Sequence, residues 1–483
     1  MRGPPRRIVP PASIVLVMAF LLTPASAARA TPVGANQLWV GRYNGIGTWL
    51  DQANAMAVSP DGSRVFVTGK SSNNGGGTKG FDAVTVAFDA ATGATVWASR
   101  YDDSHHGYDE GSAIAVSPDG SRVFVAGLAN GSTGTTGANY LTLAIDAATG
   151  GRLWARRYDG PAHDNDEALA VAVSPDGSKV FTTGQSRGGT IQPDWATIAY
   201  DASTGHHLWL KRLGSIDRWG SANAVAVSPD GTEVFVTGEQ TPVANGSWDF
   251  VMAAYDAATG SRVWFAAWDG SGNNDNPVAI AVSPDGSKVF ATGSTVVVPY
   301  TDDYATVAWD AKTGAQLWVQ LYEGPAGLSG FDDATAIAAS ADGSRVFVTG
   351  ASDAVDGYPD EDYATLAYDA NTGSQLWLER FDDGHLQGDL AESIAVTPDG
   401  SQVFVTGLSY FSSRSWNDYV TVAYAAGDGA ALGVSTYDGR LHQEDIAVGV
   451  AVSPDGSKAF VTGYSQELYG SSYDYVTVAY AVH

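Results

Sequence analysis

Cysteine is missing from all 483 residues, which excludes disulfides, thiolate metal sites, a cysteine nucleophile and a lipid-modified cysteine anchor. Basic residues are scarce: 26 Lys and Arg stand against 53 Asp and Glu, a formal charge of −27 at pH 7. Such an acid surplus excludes nucleic acid and anionic membrane surfaces as partners, and leaves cations, neutral glycans and protein surfaces. Long apolar runs are also missing, with one exception. Ile14 to Leu22 is uninterruptedly apolar, follows Arg2, Arg6 and Arg7, and precedes the small-x-small pattern Ala25-Ser26-Ala27. The run is short for a bilayer span, so residues 1–27 read as an export signal. Its removal takes away three Arg and no acid, so −27 becomes −30. The expected location is periplasmic or extracellular, with no membrane contact after cleavage. No Walker-type phosphate loop, no Gly-x-Ser-x-Gly elbow before a helix and no helix-period run occurs in the sequence.

What is present is repetition. Ser-Pro-Asp-Gly or a close variant recurs eight times, its Gly falling at Gly62, Gly120, Gly177, Gly231, Gly286, Gly343, Gly400 and Gly456. The spacings run 58, 57, 54, 55, 57, 57 and 56, a period that signals a propeller or an array of small units. In the repeat opening at Asp166, Ala168 to Val173 is rich in Ala and Val, suiting a crowded inner strand. Lys179 to Gly184, Trp195 to Tyr200 and the segment around Trp209 supply three more strands. Four strands per repeat predict an all-β, eight-bladed propeller over residues 28–483. The N-terminal segment of about 36–43 matches an outermost strand without its partners, and the C-terminal repeat lacks its outermost strand. Together they make one blade, which closes the ring and removes open edges.

The turn between third and fourth strands follows Ala-x-Asp-x-x-Thr-Gly-x-x-x-Trp, as in Ala87, Asp89, Thr92, Gly93 and Trp97. Its Trp recurs at Trp154, Trp209, Trp264, Trp318 and Trp377, with Trp39 in the N-terminal strand; Gly433 breaks the series. The motif resembles the tryptophan-docking motif of quinoprotein dehydrogenases, whose eight-bladed propellers use the Trp to lock blades together. The repeats also resemble secreted bacterial propeller repeats of the SBBP or PQQ-like type. The resemblance implies a packing role for these Trp residues. It also raises pyrroloquinoline quinone with Ca²⁺ and a catalytic Asp. In that family the quinone commonly sits on a Trp floor beside a disulfide of adjacent cysteines, which this chain lacks, and no clear Glu/Asn/Asp calcium set stands out in the sequence.

Two acidic series accompany the repeats. Asp51, Asp109, Asp166, Asp275, Asp332, Asp389 and Asp445 open the innermost strands, with Gly220 in the fourth repeat. Asp82, Asp194, Asp249, Asp303, Asp362, Asp418 and Asp474 open the third strands, with Asn139 in the odd copy. Both are expected on the same face, the first ringing the channel mouth. They are candidate ligand or cation rings; the plainer reading is a carboxylate capping loop amides in every blade. His106, His163, His385 and His442 precede ring residues and raise metal binding, against ordinary surface histidines.

The sequence thus leads to an exported propeller that binds a protein, glycan or cation through its loop-rich face, without catalysis of its own. The alternatives are a quinone- and Ca²⁺-dependent alcohol or aldose dehydrogenase, and an extracellular structural protein. No cofactor is assigned; Ca²⁺ is compatible, and quinone is weighted against.

Overall fold

The computed structural model describes residues 36–46, 49–72, 80–103, 106–130, 137–187, 193–214, 220–241, 246–270, 272–298, 301–326, 330–353, 361–384, 388–411, 416–468 and 472–483. Residues 1–27 and His385 lie outside them. Among the described residues there is no helix, and every strand belongs to one of eight four-stranded antiparallel sheets. Blades 1 to 7 cover 51–101, 109–158, 166–213, 220–268, 275–322, 332–381 and 389–437. Blade 8 covers 445–481 and is completed by Gln37–Tyr43.

The second strand Arg64–Ser72 and third strand Phe81–Asp89 are buried on both faces, because each blade is stacked between two others. The first strand of every sheet packs beside the first strand of the next, from blade 1 around to blade 8 and back to blade 1. These are therefore the innermost strands, and the fold is a closed eight-bladed propeller. The closing contact is Gln37–Tyr43 against Ser472–Ala481, antiparallel, with Trp39 opposite Ala479 and Tyr43 opposite Tyr475.

Each docking Trp joins neighbouring blades. Trp97 donates its indole N–H to the Ala147 carbonyl of blade 2 at 3.0 Å, and Trp209 donates to Ala257 of blade 4 at 3.2 Å. The facing turn glycine must be small: Gly93 has φ +72°, and a Cβ there would lie 2.5 Å from the Trp39 ring. A second clasp was not legible beforehand. Tyr140, fully buried, donates to the Ala196 carbonyl of the next blade at 2.9 Å, and Tyr363 donates to Val420 at 3.2 Å. Trp209→Ala should cost about 3–5 kcal/mol, because truncating a buried aromatic leaves a cavity and an unpaired carbonyl. Denaturant unfolding checks this. An effect within error would show that the indole does not lock the blades.

Candidate active site at the channel mouth

The first acidic ring lies where each connection enters an innermost strand, but its side chains do not line open space. Asp51, Asp109, Asp166, Asp275, Asp332, Asp389 and Asp445 are 0–1% exposed. Each accepts a backbone N–H from the preceding connection: Gly45 to Asp51 at 2.6 Å, Asp103 to Asp109 at 2.9 Å, Gly160 to Asp166 at 2.6 Å. Gly270, Gly324, Asp383 and Gly439 do the same for Asp275, Asp332, Asp389 and Asp445, at 2.6–3.0 Å. In the fourth repeat the Trp195 indole takes the space, since a Cβ on Gly220 would lie 2.8 Å from its Nε1.

The second acidic series meets a row of arginines three residues beyond the docking Trp. Arg100 binds Asp82 at 2.7 Å, Arg212 binds Asp194 at 3.0 Å and Arg380 binds Asp362 at 2.9 Å. In blade 2, where Asn139 replaces the acid, Arg157 turns to Asp103 at 2.8 Å. The two rings are brought together at blade junctions rather than kept as separate circles. Asp82, Asp102 and Asp109 place one oxygen each within 4.8 Å of the others. So do the sets Asp249, Asp269, Asp275; Asp362, Asp382, Asp389; and Asp418, Asp438, Asp445. Asp194, Asp303 and Asp474 belong to none of these sets among the described residues. The histidines do not converge either. His106, His163 and His442 are exposed, adopt positive φ, and each contacts the Asp four residues earlier at 2.6–2.9 Å.

The channel itself is lined one residue further on. Gln52, Glu110, Glu167, Ser221, Asn276, Asp333, Leu390 and Ile446 each follow a ring position and are part-exposed or exposed. Strand register sets beside them Lys70, Leu128, Gln185, Glu239, Ser294, Ala351, Leu408 and Tyr464, one per blade. The mouth is thereby two-sided. Blades 1 to 4 present Lys70, Glu110, Glu167 and Glu239, and blade 6 adds Asp333; blades 7 and 8 present Leu390, Ile446 and Tyr464, with Leu408 buried.

On the charged side, the Lys70 ammonium lies 2.9 Å from the Tyr108 hydroxyl and 3.3 Å from Glu110. Glu110 also accepts from the Asn54 amide at 2.6 Å and from the Tyr108 hydroxyl. Glu167 accepts from Gln185 at 3.3 Å, and Glu239 accepts from Asn223 at 2.7 Å. Burial, with the Glu110 charge adding, pushes Glu167 up to about 7, and burial pushes Glu239 to about 7. Burial likewise pushes Asp109, Asp389 and Asp445 to about 7. All five hold protons in the folded chain that the unfolded chain has released at lower pH. Folded protein therefore binds more protons than unfolded from the ordinary carboxyl range up to about 7, and stability falls as pH rises through that window. Thermal unfolding in EDTA should give a higher Tm at pH 5 than at pH 8; a Tm that rises towards pH 8 would contradict these shifts.

The family model described as outer membrane protein assembly factor BamB, a PQQ-type repeat family, matches residues 82–327 and 248–409. The polyvinylalcohol dehydrogenase of Sphingopyxis sp. (strain 113P3) is 29% identical over 266 residues, 47% of this chain and 35% of that protein. The chain thus spans little more than a third of that relative's length. Quinohemoprotein alcohol dehydrogenase ADHIIG from Pseudomonas putida HK5 superposes with a TM-score of 0.57 at 14% identity, covering 93% of this chain and 76% of that one. Chaetomium thermophilum Sqt1, solved with the N-terminus of ribosomal protein L10, gives 0.56 at 13% identity, covering 91% and 99%. At those identities the structures establish the fold alone. The dehydrogenase relative overturns the expectation of a non-catalytic scaffold, and with it the weighting against an enzyme. The two Asp series were read as candidate ligand or cation rings and no catalytic residue was named, because the titratable mouth residues lie on a register that spans strands and blades.

Proposed function

The chain belongs to the PQQ-type repeat family described as outer membrane protein assembly factor BamB, and on that premise we propose that it is an exported quinone-dependent dehydrogenase acting on hydroxylated substrates. The observation that carries the reading is the two-sided mouth, with Lys70, Glu110, Glu167 and Glu239 on one side and an apolar arc of Leu390, Ile446 and Tyr464 on the other. Such a surface suits a carbon chain bearing secondary hydroxyls, the chemistry in the name of the polyvinylalcohol dehydrogenase relative. Export is supported by the pattern of residues 1–27.

The donor set fits a quinone with a hard divalent cation. Glu239 and Asn223 offer carboxylate and amide oxygens of the kind Ca²⁺ prefers. Lys70 offers an ammonium for a cofactor carboxylate, and Tyr464 an aromatic face in place of a Trp floor. Bound there, the quinone supplies a two-electron acceptor. The protein's own part is acid–base work and orientation. Glu167, half-buried and poised near neutral pH, takes the proton of the substrate hydroxyl; a base with that pKa combines availability with driving force. Gln185 fixes its carboxylate at 3.3 Å. The apolar arc holds the carbon chain and keeps water from that side.

Dye-linked oxidation of secondary alcohols and of polyvinyl alcohol, with the mature chain given Ca²⁺ and pyrroloquinoline quinone, tests the proposal. Turnover that needs both additions is expected. Complete absence of turnover across primary alcohols, secondary alcohols and aldoses would overturn it.

A further inference from the structure

At the junction of blades 4 and 5, three carboxylates converge from separate segments. Asp249 opens the third strand of blade 4, Asp269 follows its outermost strand, and Asp275 opens the innermost strand of blade 5. One oxygen of each lies within 4.8 Å of the others. Asp269 accepts the Gly272 N–H at 2.7 Å; Asp275 accepts the Gly270 N–H at 3.0 Å and the Thr295 hydroxyl. Asp249 differs. It is 9% exposed, and its Oδ1 is buried without a hydrogen-bond partner.

In blades 1, 3 and 6 the same position is neutralised internally. Asp82, Asp194 and Asp362 are held by Arg100, Arg212 and Arg380 at 2.7–3.0 Å. Those arginines stand opposite Val84, Ala196 and Ala364 in the strand register. In blade 4 the corresponding pair is Val251 and Ala267, so a methyl group stands where the guanidinium would be. Three carboxylates at this spacing repel one another strongly in a partly buried setting. Among the described residues no cationic side chain is paired with Asp249.

Oxygens sharing one Ca²⁺ shell lie about 3–5 Å apart, given Ca–O distances of about 2.3–2.6 Å. The donors here are all hard oxygens, which favours Ca²⁺ over transition metals, and they sit on a connection able to meet its loose coordination geometry. We propose that the blade 4–5 junction binds Ca²⁺ through Asp249, Asp269 and Asp275, the ion standing in for the arginine that blades 1, 3 and 6 carry. Blades 5 and 7 also lack the arginine. In blade 5 Leu321 stands opposite Ala305, and Asp303 joins no carboxylate cluster among the described residues. In blade 7 Thr436 stands opposite Val420, but there His442 contacts Asp438 of the cluster at 2.7 Å. The ion would tie the connection between blades 4 and 5 to both of its flanking strands.

Calcium titration calorimetry of EDTA-stripped mature protein, without quinone and at about 0.15 M salt to screen loose surface binding, tests this. Terbium luminescence gives a second readout, since Trp268, which packs on Phe250 at 5.9 Å next to Asp249, can sensitise an ion held there. Asp249→Asn should lose one equivalent of Ca²⁺ and the Trp-sensitised terbium signal. Ala267→Arg should do the same while leaving the Tm in EDTA unchanged or raised, and it decides the matter where Asp249→Asn folds poorly. Asp82→Asn, which removes an acid already held by Arg100, should retain that equivalent. Absence of binding at millimolar Ca²⁺, or a stoichiometry untouched by Ala267→Arg, would overturn the assignment.

Discussion

Glu167→Gln is expected to lower turnover by about 10²-fold or more, the usual contribution of a positioned general base. The amide is isosteric and keeps a partner for Gln185, so the fold should be unaffected and quinone binding retained. The loss should fall on kcat rather than KM, because the carboxylate acts on the hydroxyl proton as the bond breaks. The pH profile supplies the discriminating readout. With Glu167 near 7, wild-type activity should rise with pH through neutrality, because only the ionised carboxylate accepts a proton. The variant should lose that limb. A variant with full activity, or one with the same neutral limb, would remove Glu167 from the mechanism.

Deleting residues 36–43 should have the largest structural effect. That segment supplies the outermost strand of blade 8, pairing along Ser472–Ala481, and it carries Trp39, whose indole donates to Ala90 of blade 1 at 3.1 Å. Without it the ring loses its covalent-order seam, and the edge of Ser472–Ala481 is open for pairing with other chains. Aggregation or loss of a cooperative unfolding transition is expected. A synthetic peptide covering 36–43 should restore cooperativity in trans. A truncated chain that stays monodisperse with an unchanged Tm would show that closure does not depend on this strand. The neighbouring junction is already the least secured, since Gly433 stands where the other blades place a docking Trp, opposite Ala423 in the register.

The fold was legible because it is written locally and repeated. Pro-Asp-Gly turns, small residues at Ala168 to Val173 and the Trp of each docking motif all report on contacts set by the period. The blade 8 seam was legible as well, since an orphan outermost strand and a missing one are complementary. The mouth was not, for a physical reason. Glu167 and Gln185 are brought together by antiparallel register, while Lys70 and Glu110 meet across two blades; neither relation is a sequence spacing. One signal was within reach. Arg42, Arg100, Arg157, Arg212 and Arg380 each stand three residues after a docking Trp, and Ala267 and Leu321 break the row. That row shows which Asp residues of the second series are neutralised and which are left for another cation. The first Asp series caps loop amides, the plainer of its two readings; a buried carboxylate that does so and one that faces the channel occupy adjacent positions, Asp166 and Glu167, and only the strand's pleat separates them.

The most direct measurement is equilibrium binding of pyrroloquinoline quinone to the purified mature chain in Ca²⁺, repeated with Lys70→Glu and Glu239→Gln. One quinone per chain is predicted, dependent on Ca²⁺ and lost when the Lys70 charge is reversed. Absence of binding at saturating quinone, or binding indifferent to both substitutions, would contradict a redox site at the channel mouth.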